Sequence, residues 1–99
     1  MALFLLSVSY TASEEEVQRV LPKHFEWLIS QYDKGVYLSF AKKVPATGGV
    51  CFATAKSLDE IVATTNTDPF TIEKVAKYEI QEVALTKMNP AILELAEMK

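Results

Sequence analysis

The sequence predicts an α+β domain whose elements run β-α-β-β-α-β. Two capping boxes, Ser13 with Glu16 and Ser57 with Glu60, each open a stretch of apolar residues at helical spacing. Around them lie four runs rich in β-branched and aromatic residues, at positions 3–10, 36–41, 50–55 and 78–86. No repeat, low-complexity tract or linker divides the 99 residues, so a single domain over 1–99 is expected.

The first run, Leu3 to Tyr10, is apolar on both alternating faces at its start, as a strand covered on both sides requires. Ser13 and Glu16 then satisfy free amides at a helix start, with Glu14 and Glu15 suited to the positive end of the helix dipole. Val17, Val20, Leu21, His24, Leu28 and Tyr32 recur at helical spacing and predict the buried stripe. A histidine near the middle of that stripe is the first unusual feature. Pro22 removes a backbone donor, so the helix is expected either to kink or to restart there. Asp33-Lys34-Gly35 reads as the helix stop. The second and third runs, joined by a polar connection with Gly48-Gly49 as a turn, predict an antiparallel hairpin. A second helix follows Ser57, with Leu58, Ile61, Val62 and Thr65 as its stripe. Asp68-Pro69 starts a short helical segment to about Lys77, the last strand follows, and Asn89-Pro90 opens a terminal helix reaching Met98.

This order is the ferredoxin-like arrangement, an antiparallel sheet with both helices on one face. One face then stays uncovered. The strand faces with Phe4, Leu6, Val8, Val36, Leu38, Phe40, Val50 and Phe52 are too apolar to leave in water, while the opposite faces carry Ser7, Ser9, Ser39, Cys51 and Ala53. Pairing the open face with a second copy would bury several hundred Å² per chain at roughly 25 cal/mol per Å² before ordering costs. A homodimer is therefore expected.

Composition narrows the function. With 49% hydrophobic and 23% charged residues the chain is globular, and a net charge of −3 offers no general attraction to nucleic acid or anionic lipid. The opening apolar run is too short to span a bilayer and lacks the basic flank of a secretion signal. The single cysteine, Cys51, excludes an internal disulfide, and one cysteine with one histidine makes no ordinary zinc site. The expected setting is the cytoplasm, with no metal, no cofactor, no nucleic-acid partner and no membrane partner. No Gly-x-Ser-x-Gly surrounds any serine, which disfavours a serine hydrolase.

Topology brings the end of the second helix to the sheet edge where the first helix begins, so Asp68 and His24 approach each other. With a restart at Pro22 contact is easy. A straight helix would carry His24 roughly 15 Å along its axis and require Asp68 to sit over the sheet. Each residue has two readings. His24 is a general acid or base held by a carboxylate, or a core histidine satisfied by a backbone carbonyl. Asp68 is its partner, or only the cap of the helix that Pro69 begins; one carboxylate can serve both roles.

Lys23-His24-Phe25-Glu26-Trp27-Leu28, Gly35, Gly48-Gly49-Val50, Thr67-Asp68-Pro69-Phe70 and Lys77-Tyr78-Glu79-Ile80 together resemble the YciI-like (YCII-related) family, over almost the whole chain except the terminal helix. The resemblance implies a dimeric α+β barrel, two ferredoxin-like sheets face to face, with a pocket in each subunit and no obligatory metal. It implies a catalytic dyad of His24 and Asp68, in a family regarded as enzymes, one of whose members dehydrochlorinates a chlorinated hydroquinone. Ser39, Phe40 and Phe70 are the candidate substrate-binding residues. Where the family usually carries a Ser-Gly-Pro-like turn after the second strand, this chain has Ser39-Phe40-Ala41, which changes the expected pocket wall. The first expectation is a cofactor-independent lyase or isomerase using the dyad on an unknown small molecule. The alternatives are a non-catalytic metabolite-binding or sensing domain, and a purely structural dimer module.

Overall fold

The computed structural model describes residues 1–96. Its elements are β1 (Ala2–Tyr10), α1 (Glu14–Asp33), β2 (Tyr37–Lys42), β3 (Gly48–Ala55), α2 (Leu58–Thr65), α3 (Pro69–Ile72) and β4 (Ala76–Val83). The strands form one antiparallel sheet in the order β2-β3-β1-β4, the ferredoxin-like arrangement. Beneath the helices, Phe4, Leu6, Tyr37, Cys51, Ala53 and Ala55 pack with Leu28 and Ile61, while Val8 packs with Val17, Val20, Phe70 and Val75. Each large side chain among them contributes about 1.5–3 kcal/mol by leaving water.

The hydroxyl half of each capping box forms, Ser13 accepting the Glu16 amide at 3.3 Å and Ser57 the Glu60 amide at 3.2 Å, while the Glu16 carboxylate turns to Arg19 and that of Glu60 to the Lys56 amide. Pro22 neither restarts nor splits the first helix, since α1 runs through it from Glu14 to Asp33. Pro22 and Gln18, whose carbonyl it cannot serve, are both exposed, so water can take the freed acceptor. Helix α1 stops as expected, with Lys34 as cap and Gly35 at a φ of +76°.

The predicted stripes need correction at their edges. Gln31 is buried on α1 where Tyr32, 52% exposed, was expected; on α2 only Ile61 and Thr65 are buried, with Leu58 and Val62 outside. Gly48 and Gly49 belong to β3 and not to a turn. Backbone proximity explains their identity: a Cβ on Gly48, at a φ of +154°, would lie 1.8 Å from the Val8 carbonyl oxygen. Helix α3 ends at Ile72, well short of Lys77, and β4 correspondingly starts at Ala76. The terminal segment is an exposed 3-10 helix, Pro90–Leu95; the Met98 end of the predicted helix lies outside the described residues.

The assignment of sheet faces also changes. Register pairs Phe4 with Ala53 and Leu6 with Cys51, so the small residues of β3 share the helix-covered face with the large ones of β1. Val50 and Phe52 stand on the open face beside Ser7 and Leu5. A register shift between Tyr37 and Ser39 then turns β2, placing Tyr37 and Phe40 on the covered side and Ser39 on the open one. Hydrophobicity alone could not see this, because Leu3-Phe4-Leu5-Leu6 is apolar on both faces. Leu3, Leu5, Val50, Phe52 and Val83 remain partly exposed. Among the described residues no helix is long and apolar enough to cross a membrane.

Candidate functional site

Helical spacing delivers His24 to the covered face in line with Val17, Val20 and Leu28. Because α1 is unbroken, the imidazole hangs over the sheet, and Asp68 meets it there. Asp68 is fully buried, at 0% exposure, and caps α3 by accepting the Phe70 amide on Oδ1 at 2.8 Å. The same Oδ1 lies 2.7 Å from His24 Nδ1. Cap and histidine partner are thus one carboxylate.

The second oxygen is also occupied. The Tyr78 hydroxyl, reaching in from β4, donates to Asp68 Oδ2 at 2.6 Å, and the Tyr37 hydroxyl, from β2 at the opposite sheet edge, donates to Tyr78 at 3.1 Å. Burial holds both phenols well above the ordinary tyrosine range, and for Tyr78 the neighbouring Tyr37 and Asp68 push the same way. Burial likewise pushes the Cys51 thiol up to about 12, the setting of an inert core cysteine.

Phe70 lies flat on the imidazole, with ring centres 3.7 Å apart and planes 5° from parallel. Trp27, one turn further along α1, has its ring 6.4 Å from the imidazole and donates from Nε1 to Thr67 Oγ1 at 3.1 Å. With a carboxylate on Nδ1, that nitrogen carries the proton, and Nε2 of the neutral ring keeps a lone pair. Nε2 has no hydrogen-bond partner among the described residues, and no fully buried side-chain nitrogen or oxygen there lacks one, so Nε2 of the 8% exposed His24 is not sealed from solvent. A groove of about 220 Å³ between α1 and α3 is walled by Arg19, Val20, Lys23, Pro69, Ile72 and Glu73, with neither His24 nor Asp68 in its lining.

The structure therefore brings together His24, Asp68 and Phe70. It does not bring Ser39 or Phe40 to them: Ser39 accepts the Phe52 amide at 3.2 Å, and Phe40 packs edge-on against Phe25 and Tyr32. Sequence reading missed the roles of Tyr78 and Tyr37. The one trace in the sequence was a tyrosine in each edge strand, and residue type alone does not tell whether its hydroxyl is bonded or wet.

Four antiparallel strands in this order with helices on one face make a ferredoxin-like α+β fold, and a buried histidine-carboxylate pair lies between helices and sheet. The chain belongs to the YCII-related family, whose domain model matches residues 1–84, ending just past β4. Among solved structures it is similar to 5-chloro-2-hydroxyhydroquinone dehydrochlorinase (TftG) from Burkholderia phenoliruptrix AC1100 in complex with 2,5-dihydroxybenzoquinone, with 18% identity, a TM-score of 0.71, and 83% of this chain and 93% of that one covered. A second similar structure is SnoaB, a cofactor-independent oxygenase from Streptomyces nogalater, in its N63A mutant, with 10% identity, a TM-score of 0.48, and 90% and 96% covered. At 18% identity the likeness to the dehydrochlorinase shows the fold alone. A comparison with curated proteins found no match.

Proposed function

We propose that the chain is a cofactor-independent enzyme of lyase or isomerase type, in which Nε2 of His24 removes or returns a proton on a small cyclic substrate. The observation that carries this reading is the 2.7 Å bond from His24 Nδ1 to a fully buried carboxylate, with Nε2 left open. Asp68 fixes the tautomer and stabilises the imidazolium formed when Nε2 takes a proton. Phe70, stacked on the ring, holds its plane and forms the adjoining wall. A hydroxylated, quinoid-type ring is the substrate class to try first, since the dehydrochlorinase of similar fold binds 2,5-dihydroxybenzoquinone.

The working unit in this reading is a cytoplasmic homodimer joined through the open sheet face, where Leu3, Leu5, Val50, Phe52 and Val83 are too apolar to stay wet. The test is a screen of chlorinated and hydroxylated phenols, hydroquinones and small cyclic acids for turnover, with His24→Gln alongside wild type. Turnover that His24→Gln abolishes while the variant stays folded supports the enzyme. Ligand-induced stabilisation without turnover in wild type would move the chain to the binding and sensing class.

A further inference from the structure

We propose that Tyr78, backed by Tyr37, is a positioning residue for His24: the two phenols hold the Asp68 carboxylate in the one arrangement that keeps the proton on Nδ1 and the lone pair on Nε2. The inference rests on the reading of Nε2 as the reacting atom.

Proton counting along the chain leads there. A phenol has a single proton to give. That of Tyr78 is committed to Asp68 Oδ2 at 2.6 Å, so towards Tyr37 it can only accept, and Tyr37 supplies its own proton at 3.1 Å. The reverse arrangement, with the proton on Asp68 and each hydroxyl donating away from it, leaves the Tyr37 proton facing a fully buried site. Tyr37 is 0% exposed and has no other hydrogen-bond partner among the described residues. A buried donor without an acceptor is disfavoured, so the chain runs one way.

Geometry makes this matter for the histidine. The terminal torsion of an aspartate is soft, and the Phe70 amide at 2.8 Å holds only Oδ1. Tyr78 pins the second oxygen, which fixes the carboxylate plane and with it the direction in which Oδ1 faces His24 Nδ1 at 2.7 Å. Because burial keeps both phenols protonated, neither loses its single donor near neutral pH.

The test is nitrogen-15 NMR of the only histidine in wild type, Tyr78→Phe, Tyr37→Phe and Val17→Ala, the last loosening the neighbouring core at a side chain that makes no hydrogen bond in the relay. Wild type is expected as the Nδ1–H tautomer with a slowly exchanging ring proton. In Tyr78→Phe the exchange of that proton should quicken by about tenfold, within what one hydrogen bond to a charged group supports, and the Nε2–H tautomer should appear. Tyr37→Phe should move both signals the same way by less, and Val17→Ala should leave them in place. Wild-type signals in a folded Tyr78→Phe, or equal movement in Val17→Ala, would overturn the proposal. If Tyr78→Phe does not fold, Tyr37→Phe decides alone, with unmoved signals refuting it. Turnover that needs His24 beside unmoved signals removes the relay and keeps the enzyme; moved signals without any turnover keep the relay and remove the enzyme.

Discussion

Replacing Asp68 with alanine strips one acceptor from three donors at once. The Phe70 amide, the Tyr78 hydroxyl and the His24 ring all bond to it, and it is wholly buried. Loss of the cap alone costs about 1 kcal/mol. Hydrogen bonds to a charged group contribute roughly 1.5–3 kcal/mol each, and they overlap here, so the expected total for leaving these buried donors unpaired is about 3–5 kcal/mol. Against the roughly 5–15 kcal/mol that holds a domain together, this is a large fraction. For a chain of this size it corresponds to a melting temperature lower by roughly 15–30 °C. The assay is urea unfolding followed through Trp27, the only tryptophan, whose ring lies beside the imidazole. Asp68→Asn should recover about 1 kcal/mol, because asparagine caps equally well. A double-mutant cycle with His24→Gln should give a coupling of about 1–2 kcal/mol. An alanine variant only about 1 kcal/mol less stable, at unchanged denaturant slope, would refute the account: Asp68 would then act as a cap and contribute nothing through His24 and Tyr78.

Alkaline pH should unfold the protein steeply. Cys51, Tyr37 and Tyr78 all have folded values raised by burial, so their contribution is complete below the unfolded values and is lost as pH rises. Stability should fall by about 1.4 kcal/mol per pH unit above about pH 9 through Cys51, with each tyrosine adding as much above about pH 10. Chemical denaturation from pH 7 to 11 measures it, and a Tyr37→Phe, Tyr78→Phe double variant should flatten the upper part of the slope. Glycine substitutions should split by context: Gly35→Ala, at positive φ with open space around it, should lose about 1–2 kcal/mol in denaturant titration, whereas Gly48→Ala, driven onto the Val8 carbonyl, should lose more. On the open face, Phe52→Glu faces Leu5 across the strand pair and should convert a dimer to monomer in light scattering; wild type already monomeric at micromolar concentration would refute the dimeric reading.

Element order was readable because local chemistry marks it. Ser13, Ser57 and Asp68 are caps by residue type and position, and Gly35 ends α1 by the backbone it alone tolerates cheaply. Face assignment was not readable, because Leu3 to Leu6 satisfy either orientation and the shift between Tyr37 and Ser39 inverts part of β2. The site divided along the same line. His24 and Asp68 stood out as a polar residue in an apolar stripe and a carboxylate before proline. Tyr78 and Tyr37 did not, since an aromatic side chain in a strand looks the same whether its hydroxyl is wet or bonded. Pro22 misled for a related reason: its effect depends on whether water can reach the freed carbonyl, which belongs to the fold and not to the residue.

The two phenols come from opposite edges of the sheet, β2 and β4, and touch above the two central strands. They act as a tie across the width of the molecule. Any deformation that splays or further coils the sheet moves its edge strands relative to each other, and the tie transmits that motion to the carboxylate and so to the angle of the imidazole. The imidazole is thereby held from the sheet as well as from its own helix, through two hydrogen bonds that reach both edge strands.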